Sequence, residues 1–139
     1  MIALDTDIAT LLFLGDQDVL HKLNAFPRKE IGLPIIVVEE IIRGRLDQIR
    51  KHQAKRDGRK LTDSYRKLYL SSMFVGGFQV YHYAESTEQV VNAWRAAKVR
   101  VGTQDMRIAA ICIESNATLV TRNTIDFSQL TGLSVITWN

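Results

Sequence analysis

Four separate pieces of this chain set carboxylates in or beside apolar stretches. MIALDTDIATLL puts Asp5 and Asp7 directly after a short greasy run, VVEEIIRG carries Glu39 and Glu40, GTQDMRIAA carries Asp105, and TRNTIDF carries Asp126. A carboxylate beside a core is costly unless it is paired or reaches solvent. Three or four sharing one pocket raise one another's pKa unless cations neutralise them. An oxygen-only donor set with no Cys or His cluster points to Mg²⁺ or Mn²⁺ rather than zinc. Such ions commonly serve displacement at phosphorus, activating water and stabilising the leaving oxygen. A structural role for the first pair stays open beside this, since Asp5 or Asp7 could cap a helix beginning near Ile8.

The elements that must position these acids are legible as a coarse pattern. IALD reads as a strand and DIATLLFL as a helix, with a second short helix from Asp16 to Ala25 ending before Pro27. Ile31 to Leu33 reads as another strand, and Pro34 suits the first turn of the helix that follows. IIVVEEIIRGRLDQIRKHQ has apolar residues at 35, 38, 41, 42, 46 and 49, close to helical spacing. KRDGRK predicts a turn, and Asp63 is placed to cap the next helix, which Gly76 and Gly77 stop. FQVYHY alternates as a strand. Ser86 with Gln89 offers a capping box for STEQVVNAWRAAK. GTQDMRIAAICIESN is a further helix with Asp105 in its first turn and Asn116 as a left-handed stop. ATLVT and SVITW are strands around a loop containing one helical turn. Strands alternating with helices predict an α/β sandwich with a mainly parallel central sheet flanked by helices, here as one domain over 1–139. Sites in such sheets gather outside the carboxyl ends of the strands, where Asp5 and the TRNTID loop fall.

LDTDIATLL, VVEEIIRG, VGTQDMRIAA and LVTRNTIDF together resemble the motifs of PIN-domain ribonucleases, in the family's order and over essentially the whole chain. The likeness is greatest to the toxins of VapBC-type toxin–antitoxin pairs. The resemblance implies a PIN-like fold and a Mg²⁺- or Mn²⁺-dependent endoribonuclease. It assigns catalysis and metal binding to Asp5, Glu40, Asp105 and Asp126, with Gly44 four residues after the glutamate marking Glu40 rather than Glu39. Thr121 and Asn123 become supporting residues. A homodimer and a small antitoxin whose tail reaches the acidic groove are also implied. The chain departs from the family in having Asp7 where Asn is usual, and Pro34 and Val37 where Ser and Thr often stand near Glu40. Asp7 is read as a helix cap before a metal ligand. Glu39, turned about 100° from Glu40 on a helix, is read as surface charge.

The 139 residues are 46% hydrophobic, enough for a proper core, with a net charge of +3. That charge is unevenly sorted. The segment from Arg43 to Lys67 holds ten Lys or Arg against three Asp, a local +7, leaving −4 to the rest. Beside an acidic metal site, Arg43, Lys51, Lys55, Arg56, Arg59 and Lys60 become candidates for holding RNA phosphates. The opening run lacks a basic leader and no stretch reaches eighteen apolar residues, so neither a signal peptide nor a membrane span is expected. Lone Cys112 rules out an internal disulfide and fits a reducing, cytoplasmic setting. His21, His52 and His82 are scattered, and phosphate-loop and Ser-His-Asp patterns are missing. Two alternatives stand beside the nuclease. One is a catalytically silent PIN-like module that binds RNA or protein. The other is a haloacid dehalogenase-like phosphatase, suggested by DTD near the start but lacking that family's paired-aspartate motif.

Overall fold

A computed structural model describes residues 1–139. Five short strands form one sheet: β1 (Ile2–Leu4), β2 (Ile31–Pro34), β3 (Gln79–Tyr81), β4 (Thr118–Thr121) and β5 (Val135–Thr137). Their order is β3-β2-β1-β4-β5, and every neighbouring pair is parallel. β1 sits at the centre, with Ile2 opposite both Ile31 and Thr118. The chain moves outward on one side of β1 and returns to fill the other, so the strand order reverses between β1 and β4. Ligand sites of open parallel sheets form at such a switch point, outside the carboxyl ends of the strands.

Seven helices flank the sheet: α1 (Thr6–Phe13), α2 (Gln17–Leu23), α3 (Ile35–Ala54), α4 (Gly58–Gly76), α5 (Glu85–Ala96), α6 (Thr103–Glu114) and α7 (Thr124–Phe127). The core gathers Ala3 and Leu4 of β1, Ile8 and Ala9 of α1, Leu33 of β2, Ile108 and Ile111 of α6, and Leu119 and Val120 of β4. α6 enters it most deeply, with a continuous buried run from Ile108 to Cys112. That depth fixes the first turn of α6, where Asp105 stands.

Turn chemistry accounts for most boundaries. Gly15 at φ 78° ends α1, and Asp16 caps α2 by accepting from the Val19 N–H at 3.0 Å. Asn116 takes φ 53° after α6, the left-handed stop its side chain favours. Pro34 closes β2 and stands as the residue before α3, one step earlier than its expected place inside the first helical turn. Two capping expectations fail. Asp57, not Asp63, caps α4 by accepting from the Lys60 N–H at 3.1 Å; the helix starts at Gly58, so Asp63 lies within it and pairs with Lys67. Before α5 the bond runs from the Ala84 N–H to the Thr87 hydroxyl, while Ser86 is inside the helix and donates to Glu114.

α3 and α4 form a long antiparallel hairpin around a left-handed Arg56 (φ 51°). Its seam is partly polar: buried Ser64 and Ser71, two helical turns apart, meet His52 Nδ1 (2.6 Å) and Arg45 Nε (2.9 Å) across it. No buried side-chain nitrogen or oxygen in the chain lacks a partner, so these hydroxyls add no desolvation penalty.

Candidate active site

The site begins where β1 becomes α1. The Asp5 N–H donates to the Val120 carbonyl, the last rung between β1 and β4, and its own carbonyl accepts from the Ala9 N–H in the first turn of α1. The side chain is only 7% exposed. Its Oδ1 accepts from the Thr6 N–H at 2.8 Å and its Oδ2 from the Thr121 hydroxyl at 2.7 Å. Thr121 Oγ1 accepts in turn from the Asn123 N–H at 3.0 Å. Burial raises the Asp5 pKa, the bonds from Thr121 and Thr6 draw it back, and the neighbouring Asp7 charge raises it again. The helix-capping role expected of Asp7 therefore falls to Asp5. α1 begins one residue earlier than the apolar pattern suggests, which leaves Asp7 exposed in its first turn with no cap bond.

Glu40 reaches this corner from α3, its Oε1 accepting from the Thr6 hydroxyl at 2.6 Å. Thr6 thus supplies the polar partner that Pro34 and Val37 withhold. Sequence reading missed it; its position next to Asp5 at the strand end is the signal that could have found it. Glu39 points away from the acids, as expected, but is more than loose charge. It pairs with Arg43 and accepts from Gln104 Nε2 at 2.9 Å, tying α3 to the start of α6. Asp126 in α7 accepts from Asn123 Nδ2 at 3.0 Å.

Asp105 feels all of the others. Partial burial raises its pKa most, and the charges of Asp5, Glu40, Asp126 and Asp7 add to that, holding it at about 6. The field of Asp5 reaches Cys112 too, whose thiol, chiefly through burial, is pushed up to about 12. Four elements thus bring Asp5, Glu40, Asp105 and Asp126 into one electrostatic neighbourhood, with Asp7 at its rim. Asp5, Glu40 and Asp126 each have a side-chain donor, from Thr121, Thr6 and Asn123 respectively, while Asp105 and Asp7 have none.

All the donors here are oxygens, which suits a hard divalent cation. The repulsion among the carboxylates that helps raise the Asp105 pKa is what such an ion would relieve. As they stand, no three His, Cys, Asp or Glu side chains close tightly enough to ligate an ion.

The basic residues fall elsewhere. Lys51, Lys55, Arg56, Arg59 and Lys60 are exposed around the far end of the α3–α4 hairpin, with no carboxylate within ion-pair distance. Arg43 differs, its charge being shared with Glu39. Arg45, which the pattern of charges did not single out, stands on α3 where it lines both the cavity beside Glu40 and the cleft between α3 and α4, and it has no ionic partner.

The PIN domain family model matches residues 2–133. Ribonuclease VapC1 of Rickettsia felis is 36% identical over 73 residues, which are 50% of this chain and 52% of that protein. The chain therefore spans about half the length of the curated relative it matches. VapBC2 of Rickettsia felis, solved bound to a promoter DNA fragment, matches with a TM-score of 0.76 at 20% identity, covering 100% of both chains. DNA-bound VapBC of Salmonella typhimurium matches with a TM-score of 0.77 at 19% identity, also over 100% of both. VapBC-1 of nontypeable Haemophilus influenzae gives 0.73 at 21%, covering 99% of this chain and 98% of that one. At these identities the structural likeness is one of fold. The phosphatase alternative finds no support, since the stretch containing DTD lies within the PIN match.

Proposed function

The chain belongs to the PIN domain family, and from that premise we propose that it is a metal-dependent endoribonuclease, the toxin of a type II toxin–antitoxin pair. One observation carries the catalytic part. Asp5, Glu40, Asp105 and Asp126, from four elements, converge electrostatically at the switch point of a parallel sheet, and the pKa of Asp105 rises to about 6 under their combined charge. Carboxylates perturbed by burial and by one another in this way cluster at sites where a cation is bound or a proton moved. The toxin assignment is supported by the match to a VapC ribonuclease and by the fold shared with toxin–antitoxin complexes.

Asp5, Glu40, Asp105 and Asp126 would hold one or two Mg²⁺ or Mn²⁺ ions. A bound ion supplies an activated water and charge stabilisation at the scissile phosphate. The chain's own side chains orient the donors. Thr121 fixes Oδ2 of Asp5, Thr6 fixes Oε1 of Glu40, and Asn123 fixes Oδ2 of Asp126. Asp7 adds charge at the rim. Lys51, Lys55, Arg56, Arg59 and Lys60, with Arg43 as a weaker contributor, would attract the phosphate backbone. The chain is read as a single PIN-like domain over 1–139, a cytoplasmic homodimer restrained by a small antitoxin. No helix is long and apolar enough to cross a membrane.

Cleavage of a mixed tRNA and rRNA pool by the purified chain, with Mg²⁺, with Mn²⁺ and with EDTA, tests the proposal. Discrete cuts are expected with either metal and none with EDTA or for Asp105→Asn. A folded, partner-free chain that neither cuts RNA nor binds metal would return the site to a structural role and leave the binding-module alternative.

A further inference from the structure

Two cavities meet along α3. One, of about 220 Å³, lies beside the acids and is lined by Thr6, Glu40, Gly44, Arg45 and Gln48 among others. The second, of about 300 Å³, lies between α3 and α4, where Arg45 and Gln48 recur with His52, Lys60, Asp63 and Lys67, and none of its lining side chains is hydrophobic. Arg45 and Gln48 belong to both. Glu40 and Gln48 are eight residues apart on one helix, about 12 Å, and His52 lies about 6 Å further on.

Arg45 is fixed in advance. Its Nε donates to fully buried Ser71 at 2.9 Å, and its guanidinium lies 5.3 Å from the Phe13 ring. Its terminal nitrogens meet no protein acceptor and no carboxylate pairs with it. A planar fork held in this way has already lost rotamer freedom and presents donors that match phosphate oxygens. Lys60 is likewise unpaired, while Lys67 shares its charge with Asp63 at 3.2 Å. The Ser64 hydroxyl lies 2.9 Å from the Lys60 carbonyl and 2.6 Å from His52 Nδ1, contacts that hold the imidazole at the seam.

We propose that the α3–α4 cleft is a binding track for the phosphodiester backbone of the RNA strand whose cleavage occurs at the acids, with Arg45 as the contact common to both cavities. The inference rests on the ribonuclease reading and adds where the strand runs. The acids repel a polyanion, and the track sets Arg45 in the cavity that Glu40 lines, with Lys60 further along the cleft, to offset that repulsion. A wholly polar lining with unpaired cations suits a phosphate chain. An acidic protein segment would also need apolar seats to anchor it, and the cleft offers none.

The test is binding of a fluorescent 12-nucleotide single-stranded RNA to the full chain carrying Asp105→Asn, in EDTA. Arg45→Gln with Lys60→Gln is compared with Lys29→Gln with Arg100→Gln, an equal charge change outside both cavities. The cleft pair should weaken binding about tenfold more than the control pair at 0.1 M salt. It should also lower the log–log salt slope by about 1.4, the value for two phosphate contacts on a single strand. Lys60→Gln alone, which removes no packing, should show half of the slope change. With Asp105 intact and metal present, the cleft pair should raise KM and leave kcat within about threefold. Equal losses from the two pairs would overturn the track while leaving the nuclease standing, as would a fall in kcat at unchanged KM. An oligoglutamate that outcompetes RNA on the parent chain, with its own affinity lost in the cleft pair, would make the cleft an acidic-protein site and overturn the track. A parent chain that binds and cuts no RNA fails the ribonuclease reading itself, and the track with it.

Discussion

The two halves of α3 serve opposite electrostatic ends. Its first turns are pinned to the core by Ile36 and Val37 and deliver Glu40 to a corner where carboxylates crowd and lose solvent. Its last three turns leave the core, with Ile49 the one buried residue among them, and carry cations on a solvated hairpin. The acidic end depends on geometry: its side chains are oriented by hydroxyls and an amide, and their charges act on one another through partly desolvated space. The basic end depends on number, because exposed cations are screened and no single one contributes much. Substitutions should therefore act sharply at one end and gradually at the other.

The largest break expected in that contrast is Glu40→Gln, which removes a charge from the acid cluster and keeps its shape. It should lower kcat by about a thousandfold, equivalent to several kcal/mol of metal-dependent stabilisation, and leave RNA affinity in EDTA unchanged or improved. A comparable loss of RNA affinity would mean that the two ends are not separable. Thr121→Val probes the orienting bonds. It strips buried Asp5 of its Oδ2 donor, so a 10- to 100-fold loss of metal affinity or activity is expected, together with roughly 1–3 kcal/mol of stability measured by urea unfolding. Stability lost with activity retained would mean the hydroxyl serves only the fold.

The smallest effect concerns pH. The folded-state pKa of Asp105 lies at about 6, above its unfolded value, and that of Asp5 is raised as well. The folded chain therefore binds more protons than the unfolded one in the window from about 4 to 6, and stability falls as pH rises through it. Asp105→Asn should then be the more stable chain in EDTA at pH 7.5, keep roughly half of that advantage at pH 5 and lose it below about pH 4, once the unfolded carboxyl is protonated too. After discounting for its partial exposure, the gain is about 1 kcal/mol, or roughly 3 °C in Tm. Mn²⁺ should erase the difference at pH 7.5 by stabilising the parent chain. Identical melting of parent and variant at both pH values would mean that the acids barely interact.

The parts of this architecture set by short-range pattern were legible in the sequence. Alternating strands and helices predicted the parallel sheet, the strand ends predicted where Asp5 and the TRNTID loop would stand, and Asn116 predicted its own left-handed turn. What escaped depends on contacts between distant segments. Asp63 was a sound cap by residue type, but packing of α4 on α3 extends the helix back over Gly58 to Asp57, against the turn preference of KRDGRK. Thr6 was hidden because its partner Glu40 lies 34 residues away. Arg45 was one cation among ten, distinguished only by Ser71 and Phe13, which no local pattern connects to it.

The bonds around Asp5 also decide which substitutions there are silent. Asn123 N–H, the Thr121 hydroxyl and Asp5 Oδ2 form a chain of donors that runs one way, and the Thr6 N–H closes on Oδ1 from the other side. Asparagine at position 5 would have the same outline as aspartate but the wrong polarity. Its NH₂ must face either the Thr6 N–H or a hydroxyl that already accepts from Asn123, and reversing the hydroxyl leaves its hydrogen without an acceptor. The isostere that isolates charge at Asp105 would at Asp5 rewire a buried circuit, so loss of activity there could not be assigned to chemistry alone.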